Sequence, residues 1–259
     1  MLFAPAARRE ALFALYAFNY EIARVRESVT QPMLGQIRLQ WWRESIAAAF
    51  EGDPVRHHPV AEALTSAIRE LAPTRAHFDR LIEARETDLD DQPPASLAAL
   101  GEYAEASSGR LVRLALEVLG VDDPDAGEAG LHVGIAYSVV GLLRAMPFHA
   151  RAGRRFIPAD IAARSRLSEQ DYRALHSTPA LRSATAELAA AASRHLDLAR
   201  AHRAKIPRSA LPALLPAVVA QRSLLRLERA AYDPFDPALA LPDPLQSWRL
   251  AAAVLLNRF

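Results

Sequence analysis

The chain has 259 residues, 51% of them hydrophobic and 24% charged, with 31 Lys+Arg against 30 Asp+Glu and a formal net charge of +1. This apolar content argues against a disordered chain, and the balanced charge gives no reason to predict nucleic-acid binding. The absence of Cys excludes disulfides, thiolate metal sites and cysteine nucleophiles. Lys205 is the only lysine. Codon bias is our first interpretation of this excess of arginine over lysine, and the alternative is that some of the arginines bind phosphate, which the forked guanidinium group suits.

The first half of the chain predicts successive helices, because apolar residues recur at helical spacing and alternating strand patterns are absent. A second helix is predicted to begin near Thr30 and Pro32, since proline is favoured in the first turn. A fifth helix is predicted after Ser107 and Ser108, which are candidate caps. Each of the first five predicted helices has an apolar face, marked in chain order by Leu12 and Tyr16, Ile37 and Trp41, Leu64 and Ile68, Phe78 and Ile82, and Leu111 and Leu114.

The second half predicts helices near residues 127–144, 178–205 and 212–231, and a last one near the C-terminus. Short proline-marked breaks are predicted between helices, as at Pro147. No long polar linker divides the chain. We therefore predict one all-α domain over residues 1–259, a packed bundle around an interior cavity or core.

The N-terminal segment has Arg8, Arg9 and Glu10 where a signal peptide needs an unbroken apolar run. The most apolar later stretch, residues 211–220, is short and contains two prolines, so it is not predicted to cross a bilayer as a regular helix. We expect a cytoplasmic protein and leave open peripheral contact with the inner membrane.

An acidic segment, LIEARETDLDD, contains Glu86 and Asp90 four residues apart, a spacing at which two carboxylates can share a hard cation. The alternative is that these carboxylates are exposed to solvent where the helix ends and a loop begins. A basic segment places Arg144, Arg154 and Arg155 around a Gly-containing turn. Guanidinium groups that converge there would bind a phosphate. The alternative is that Arg144 caps the C-terminus of its helix and the other arginines are exposed to solvent.

The order of these segments resembles the squalene/phytoene synthase family. The resemblance runs from RREALFALYAFN through the Trp41-Trp42 helix and LIEARETDLDD to GEYAEASSGRLVRLALEVLG and VGIAYSVVGLLRAMPFHARAGRRFIPAD, in colinear order over about two thirds of the chain. It implies an isoprenoid-synthase-type all-α bundle with a central apolar cavity. It also implies two Asp-rich motifs that hold Mg²⁺, which grips a departing diphosphate.

This sequence departs from both motifs. The first motif's Asp pair falls on Ala23 and Arg24, and its third acidic position is Glu27. The second motif is expected to read Asn-x-x-Arg-Asp with a later Asp. Arg144 is retained there, while the other positions are Gly141, Ala145 and His149. Alanine cannot hold Mg²⁺ and arginine repels it, so the residues do not predict ordinary synthase chemistry.

The strings AFNYEIARVRESV, LQWWRE and EARETDLDD are similar to a non-synthase branch of that family, which includes a mitochondrial assembly factor of respiratory complex I. The resemblance implies a non-catalytic protein that binds an isoprenoid or other lipid, or assists assembly of a respiratory complex at the membrane. Its partners would be a lipid in the cavity and respiratory-complex subunits or a membrane surface, with no nucleic acid. The alternative is an active head-to-head prenyl transferase acting on farnesyl or geranylgeranyl diphosphate.

From the resemblance we assign candidate roles to three groups of residues. No cofactor is expected, and Mg²⁺ belongs only to the enzyme alternative, with Glu27, Glu86 and Asp88 as weak metal ligands. The candidate diphosphate-binding arginines are Arg38, Arg144, Arg154 and Arg155. The candidate cavity-lining residues are Tyr16, Phe18, Trp41, Tyr103 and Tyr137.

Overall fold

The stripes of apolar residues form successive helices in the computed structural model, which describes residues 2–173 and 175–259. These described residues contain no β-strand, which confirms the predicted all-α class. In chain order the α-helices are α1 (Ala6–Ala23), α2 (Pro32–Glu51), α3 (Pro59–Leu71), α4 (Arg75–Thr87), α5 (Leu97–Ala104), α6 (Arg110–Val118), α7 (Pro124–Arg151), α8 (Ala159–Arg164), α9 (Glu169–Arg173), α10 (Pro179–Ala201), α11 (Leu211–Leu214), α12 (Pro216–Arg229), α13 (Pro237–Ala240) and α14 (Gln246–Leu255).

Local sequence signals account for several helix starts. α2 begins at Pro32, as predicted, because a proline in the first turn lacks only an N–H that would have no partner there. The side chain of Asp123 accepts a 2.7 Å hydrogen bond from the Ala126 amide at the start of α7. Thr178 caps α10 in the same way through the Leu181 amide. These caps satisfy first-turn amides that have no partner within their helices.

Three predicted boundaries are wrong. α7 continues through Pro147, because buried neighbours such as Met146 and Ala150 hold the helix in place despite the missing N–H. Ser107 and Ser108 do not cap a helix. They lie in a π-helical segment, Glu105–Gly109, that joins α5 to α6. The helix predicted over residues 212–231 is divided into α11 and α12, which meet at 45° where Pro216 begins α12.

α7 is the central helix and contacts α6, α10, α12 and the π-helical segment. It is long and apolar enough to cross a membrane, but more than half of its most apolar window is buried within the protein. Residues on opposite sides of the helix, such as Val133 and Ile135, are buried. Packing on several sides therefore explains why this helix is apolar almost all round.

Candidate functional site

An apolar cavity of about 330 Å³ lies beside α7. Its walls come from α1, α7, α12 and α14, among them Tyr16, Tyr137, Val219 and Leu250. Burial, with a smaller contribution from Tyr137, raises the pKa of Tyr16 to about 12. Tyr16 is therefore a neutral phenol at physiological pH. The structure thus brings two of the proposed cavity residues, from helices distant in sequence, to one apolar site.

The other proposed cavity residues lie elsewhere. Phe18 is fully buried and packs edge-on against Trp42, with ring centroids 5.3 Å apart. Trp41 contacts Trp42 in turn, at 4.8 Å. Tyr103 lines a separate pocket next to Asp88. The aromatic pair of α2 is therefore part of the hydrophobic core, which is the ordinary place for tryptophans at helical spacing.

The residues at the first motif positions do not form a carboxylate pair. Ala23 is the last residue of α1, and the exposed Arg24 places its guanidinium carbon 5.1 Å from the centre of the Tyr20 ring. Glu27 is exposed in a 3₁₀ turn, Arg26–Ser28. Arg38 donates a 2.7 Å hydrogen bond to the Ser28 hydroxyl, so this candidate diphosphate ligand contacts the same turn.

The residues at the second motif positions follow successive turns of α7. A side chain added at Gly141 would meet no atom within 4 Å. Arg144 is exposed, and no ion pair or hydrogen bond joins its side chain to the part of the chain that the structure describes. His149 is buried, its ring 4.5 Å from that of Phe156. Burial, aided by Arg154, lowers the pKa of His149 to about 4, so the imidazole is neutral at pH 7.

The donors at these positions do not suit a magnesium cluster. Mg²⁺ prefers carboxylate oxygens, and Glu27 is the only carboxylate among the six motif positions. Within residues 2–173 and 175–259 no three His, Asp or Glu side chains are grouped so as to hold a metal ion. No step that depends on Mg²⁺ is therefore derived for this site.

The acidic residues at the end of α4 and just after it lie in two different environments. Glu86 is partly exposed and pairs with Arg43 at 2.8 Å. Asp88 is buried, where it accepts a 3.0 Å hydrogen bond from the Tyr103 hydroxyl and pairs with Arg85 at 3.3 Å. Burial alone would lower the pKa of Arg85, but Tyr103 and Asp88 outweigh it and raise that pKa.

Arg154 joins this buried group from the loop after α7. Its Nη2 atom donates a 3.1 Å hydrogen bond to the Asp88 carbonyl and lies 3.9 Å from the Asp88 carboxylate. Burial raises the pKa of Tyr103, with Arg85 acting in the opposite direction. Asp88 therefore serves as the counter-ion of two arginines. Because these arginines already balance its negative charge, the Asp88 carboxylate is poorly suited to bind a cation.

The candidate diphosphate arginines do not converge on one place. Arg154 and Arg155 line the pocket beside Asp88, while Arg144 lines a different pocket. That second pocket, of about 270 Å³, contains three further arginines that sequence reasoning missed: Arg222, Arg226 and Arg249. The four-residue spacing of Arg222 and Arg226 on α12 was the available signal, since it places both on one helix face.

Comparison with known proteins agrees with the resemblance of the motifs. The family model described as squalene/phytoene synthase matches residues 1–251. Complex I assembly factor 6 from Rattus norvegicus is 34% identical over 252 residues, covering 95% of this chain and 75% of that protein. Presqualene diphosphate synthase from Rhodopseudomonas palustris is 27% identical over 196 residues, covering 75% of this chain and 69% of its own length.

The fold also matches solved structures. A dehydrosqualene synthase crystallised with a ligand superimposes with a TM-score of 0.84 at 19% sequence identity, covering 98% of this chain and 88% of that one. This likeness confirms the predicted isoprenoid-synthase-type bundle. At this level of identity it concerns the fold alone.

Proposed function

The chain belongs to the squalene/phytoene synthase family, and from that premise we propose that it is a non-catalytic member that assists assembly of respiratory complex I. Its cavity holds an isoprenoid or another lipid, and it acts at the surface of the inner membrane. The single observation that carries the proposal is the loss of the metal-binding carboxylates. Ala23, Arg24, Gly141 and Ala145 stand where the family motifs require metal ligands or their neighbours.

Two further features support this proposal. The assembly-factor relatives match nearly the whole chain, whereas two presqualene diphosphate synthases match about three quarters of it at lower identity. The buried Asp88, which could have supplied a displaced metal ligand, is neutralised by Arg85 and Arg154. The prenyl transferase alternative therefore lacks both its usual ligands and a substitute for them.

Deletion of the gene in its own organism tests the assembly role. Deletion of the gene should lower the amount of assembled complex I on native gels, and expression of the chain from a plasmid should restore it. The plasmid without the gene serves as the negative control for restoration. Unchanged complex I in the deletion strain would contradict the assembly role.

A chemical assay tests the non-catalytic part separately. The purified chain is incubated with Mg²⁺ and farnesyl or geranylgeranyl diphosphate, and pyrophosphate and lipid products are measured. We expect no release of pyrophosphate above the rate without protein, because the motif positions cannot assemble a metal cluster. A head-to-head prenyl product would establish the transferase alternative.

A further inference from the structure

The outer face of α14 is a continuous apolar stripe that is open to solvent. Steps of three and four residues along the helix and its two caps place five exposed side chains on one side: Leu245, Trp248, Ala252, Leu255 and Leu256. Trp248 is 75% exposed and Leu255 is 82% exposed. Single exposed apolar side chains are ordinary, whereas a contiguous group of them marks a binding surface.

The opposite face of α14 attaches the helix to the protein. Ala253 is buried, and Leu250 and Val254 pack against the hydrophobic core. The helix contacts α12. Because this second set of apolar side chains already recurs at helical spacing, the outer stripe is not needed to hold α14 in place. A partner outside residues 2–173 and 175–259 would account for the apolar character of the outer face.

Basic residues border the C-terminal end of α14. Residues 200–208 contain four basic residues and no acidic one. Nε of Arg200 donates a 3.3 Å hydrogen bond to the carbonyl oxygen of Phe259, which places this segment beside the end of the helix. Arg200 and Lys205 pair with acidic side chains elsewhere. Arg203 and Arg208 are exposed, and neither side chain has an ion pair or hydrogen bond in the described part of the chain.

The size and composition of this surface decide what covers it. One face of a ten-residue helix presents on the order of 500 Å². A stable dimer buries about 800 Å² on each partner, so a second copy of the chain is not the occupant. Tryptophan and leucine on one face with arginine beside them are typical of helices that lie in the headgroup region of anionic membranes. The helix is too short to cross a bilayer.

We propose that α14 docks the protein on the surface of an anionic lipid bilayer. The helix lies in the plane of the membrane with Trp248 and Leu255 in the boundary between headgroups and acyl chains. The exposed Arg203, Arg208 and Arg258 contact lipid phosphates, which guanidinium groups match well. The inference rests on the membrane part of the proposed function, and it adds the docking helix and the charge of the lipid.

Flotation of the full chain with vesicles tests the docking. We expect the chain to float with vesicles of phosphatidylcholine and phosphatidylglycerol. Pure phosphatidylcholine should bind at least about tenfold more weakly, because the three arginines lose their anionic partners. Binding to the anionic vesicles should also fall as the salt concentration rises. Equal binding to both kinds of vesicle, or binding to neither, would overturn the proposal.

The fluorescence of Trp248 reports whether the stripe itself enters the bilayer. Trp42 is buried and Trp41 is half-buried, so Trp248 is the tryptophan that docking would remove from water. Its emission should shift to shorter wavelength when anionic vesicles are added. Trp248→Phe should abolish the shift and still float, because phenylalanine keeps the apolar surface. An emission spectrum that vesicles leave unchanged would contradict insertion of the stripe.

A substitution within the stripe tests the assignment to α14. Leu255→Gln should weaken binding to anionic vesicles about tenfold, since burial of one large apolar side chain contributes at least that factor. The Leu255 side chain is exposed, so circular dichroism should show an unchanged melting temperature. Leu34→Gln, at an exposed leucine of α2, is the matched control and should leave binding unchanged. Equal losses in the two variants would refute the assignment.

Two further outcomes separate this inference from its alternatives. Sedimentation velocity without lipid detects self-association, and a dimer that Leu255→Gln dissociates would show that a second copy covers the stripe. That result would overturn the membrane assignment. Failure of the unmodified chain to bind vesicles would also overturn it and would leave the assembly role standing. A normal complex I level in the deletion strain contradicts the assembly role alone.

Discussion

Gly134 on α7 approaches Gly109 so closely that no side chain fits between the two backbones. A Cβ atom on Gly134 would lie 2.5 Å from both the Cα and the amide nitrogen of Gly109, and equally close to the Ser108 carbonyl oxygen. Gly109 ends the π-helical segment, so this crossing fixes how the central helix meets the irregular turn between α5 and α6.

The first prediction concerns this helix crossing. Gly134→Ala should destabilise the protein by about 1–3 kcal/mol, because the new methyl group meets backbone atoms that cannot rotate away. Thermal unfolding followed by circular dichroism measures the change. Gly141→Ala on the same helix is the matched control. Its Cβ meets open space, so the better helix propensity of alanine should stabilise by about 0.5–1 kcal/mol. Equal effects of the two substitutions would contradict the close contact.

The second prediction concerns the buried charge group around Asp88. Asp88→Asn should cost about 3–5 kcal/mol, because it leaves the buried Arg85 without its counter-ion. Urea unfolding measures the loss. The control is Glu83→Gln, which removes the exposed partner of Arg80 and should cost no more than about 1 kcal/mol. A small effect at Asp88 would mean that water or another group compensates Arg85.

The third prediction is a dependence of stability on pH that arises from His149. Its folded-state pKa is about 4, below the ordinary value of 6.5. Between these two values the unfolded chain binds the proton and the folded chain does not, so stability should fall as the pH drops from 6.5 towards 4.

Urea unfolding across this pH range measures the slope. His149→Leu should reduce it, since leucine has no proton to bind and its neighbours Phe148 and Phe156 are apolar. Other groups contribute, among them His132 and His195, whose pKa values burial also lowers. The comparison with His149→Leu therefore isolates the share of one residue. An identical slope in the variant would contradict the buried neutral imidazole.

The fourth prediction concerns metal removal. The melting temperature should be the same in EDTA and in millimolar Mg²⁺, because a metal that binds the folded state tightly would stabilise it by mass action. Differential scanning calorimetry provides the measurement, with Ca²⁺ at equal ionic strength as the control for salt effects. A melting temperature that rises specifically with Mg²⁺ concentration would reveal a metal site that the motif positions do not predict.

The sequence by itself determined the helical class, the start of α2 at Pro32 and the motif positions that lack carboxylates. Each of these depends on residue type and short-range spacing, which the chain carries locally. The substitution of Ala23 and Arg24 for acidic residues can be identified without any knowledge of packing.

Only the tertiary structure decided which side chains meet. Asp88 turned inward to Arg85 and Arg154, while Glu86, two residues before it, remained at the surface. One pocket brings Arg144 together with Arg222, Arg226 and Arg249, which lie 78 to 105 positions later in the chain. A helix such as α7 is apolar on several faces, so periodicity cannot say which face meets a cavity and which meets a neighbour. That choice depends on packing between distant segments, because the burial of each surface is settled jointly by all the helices around it.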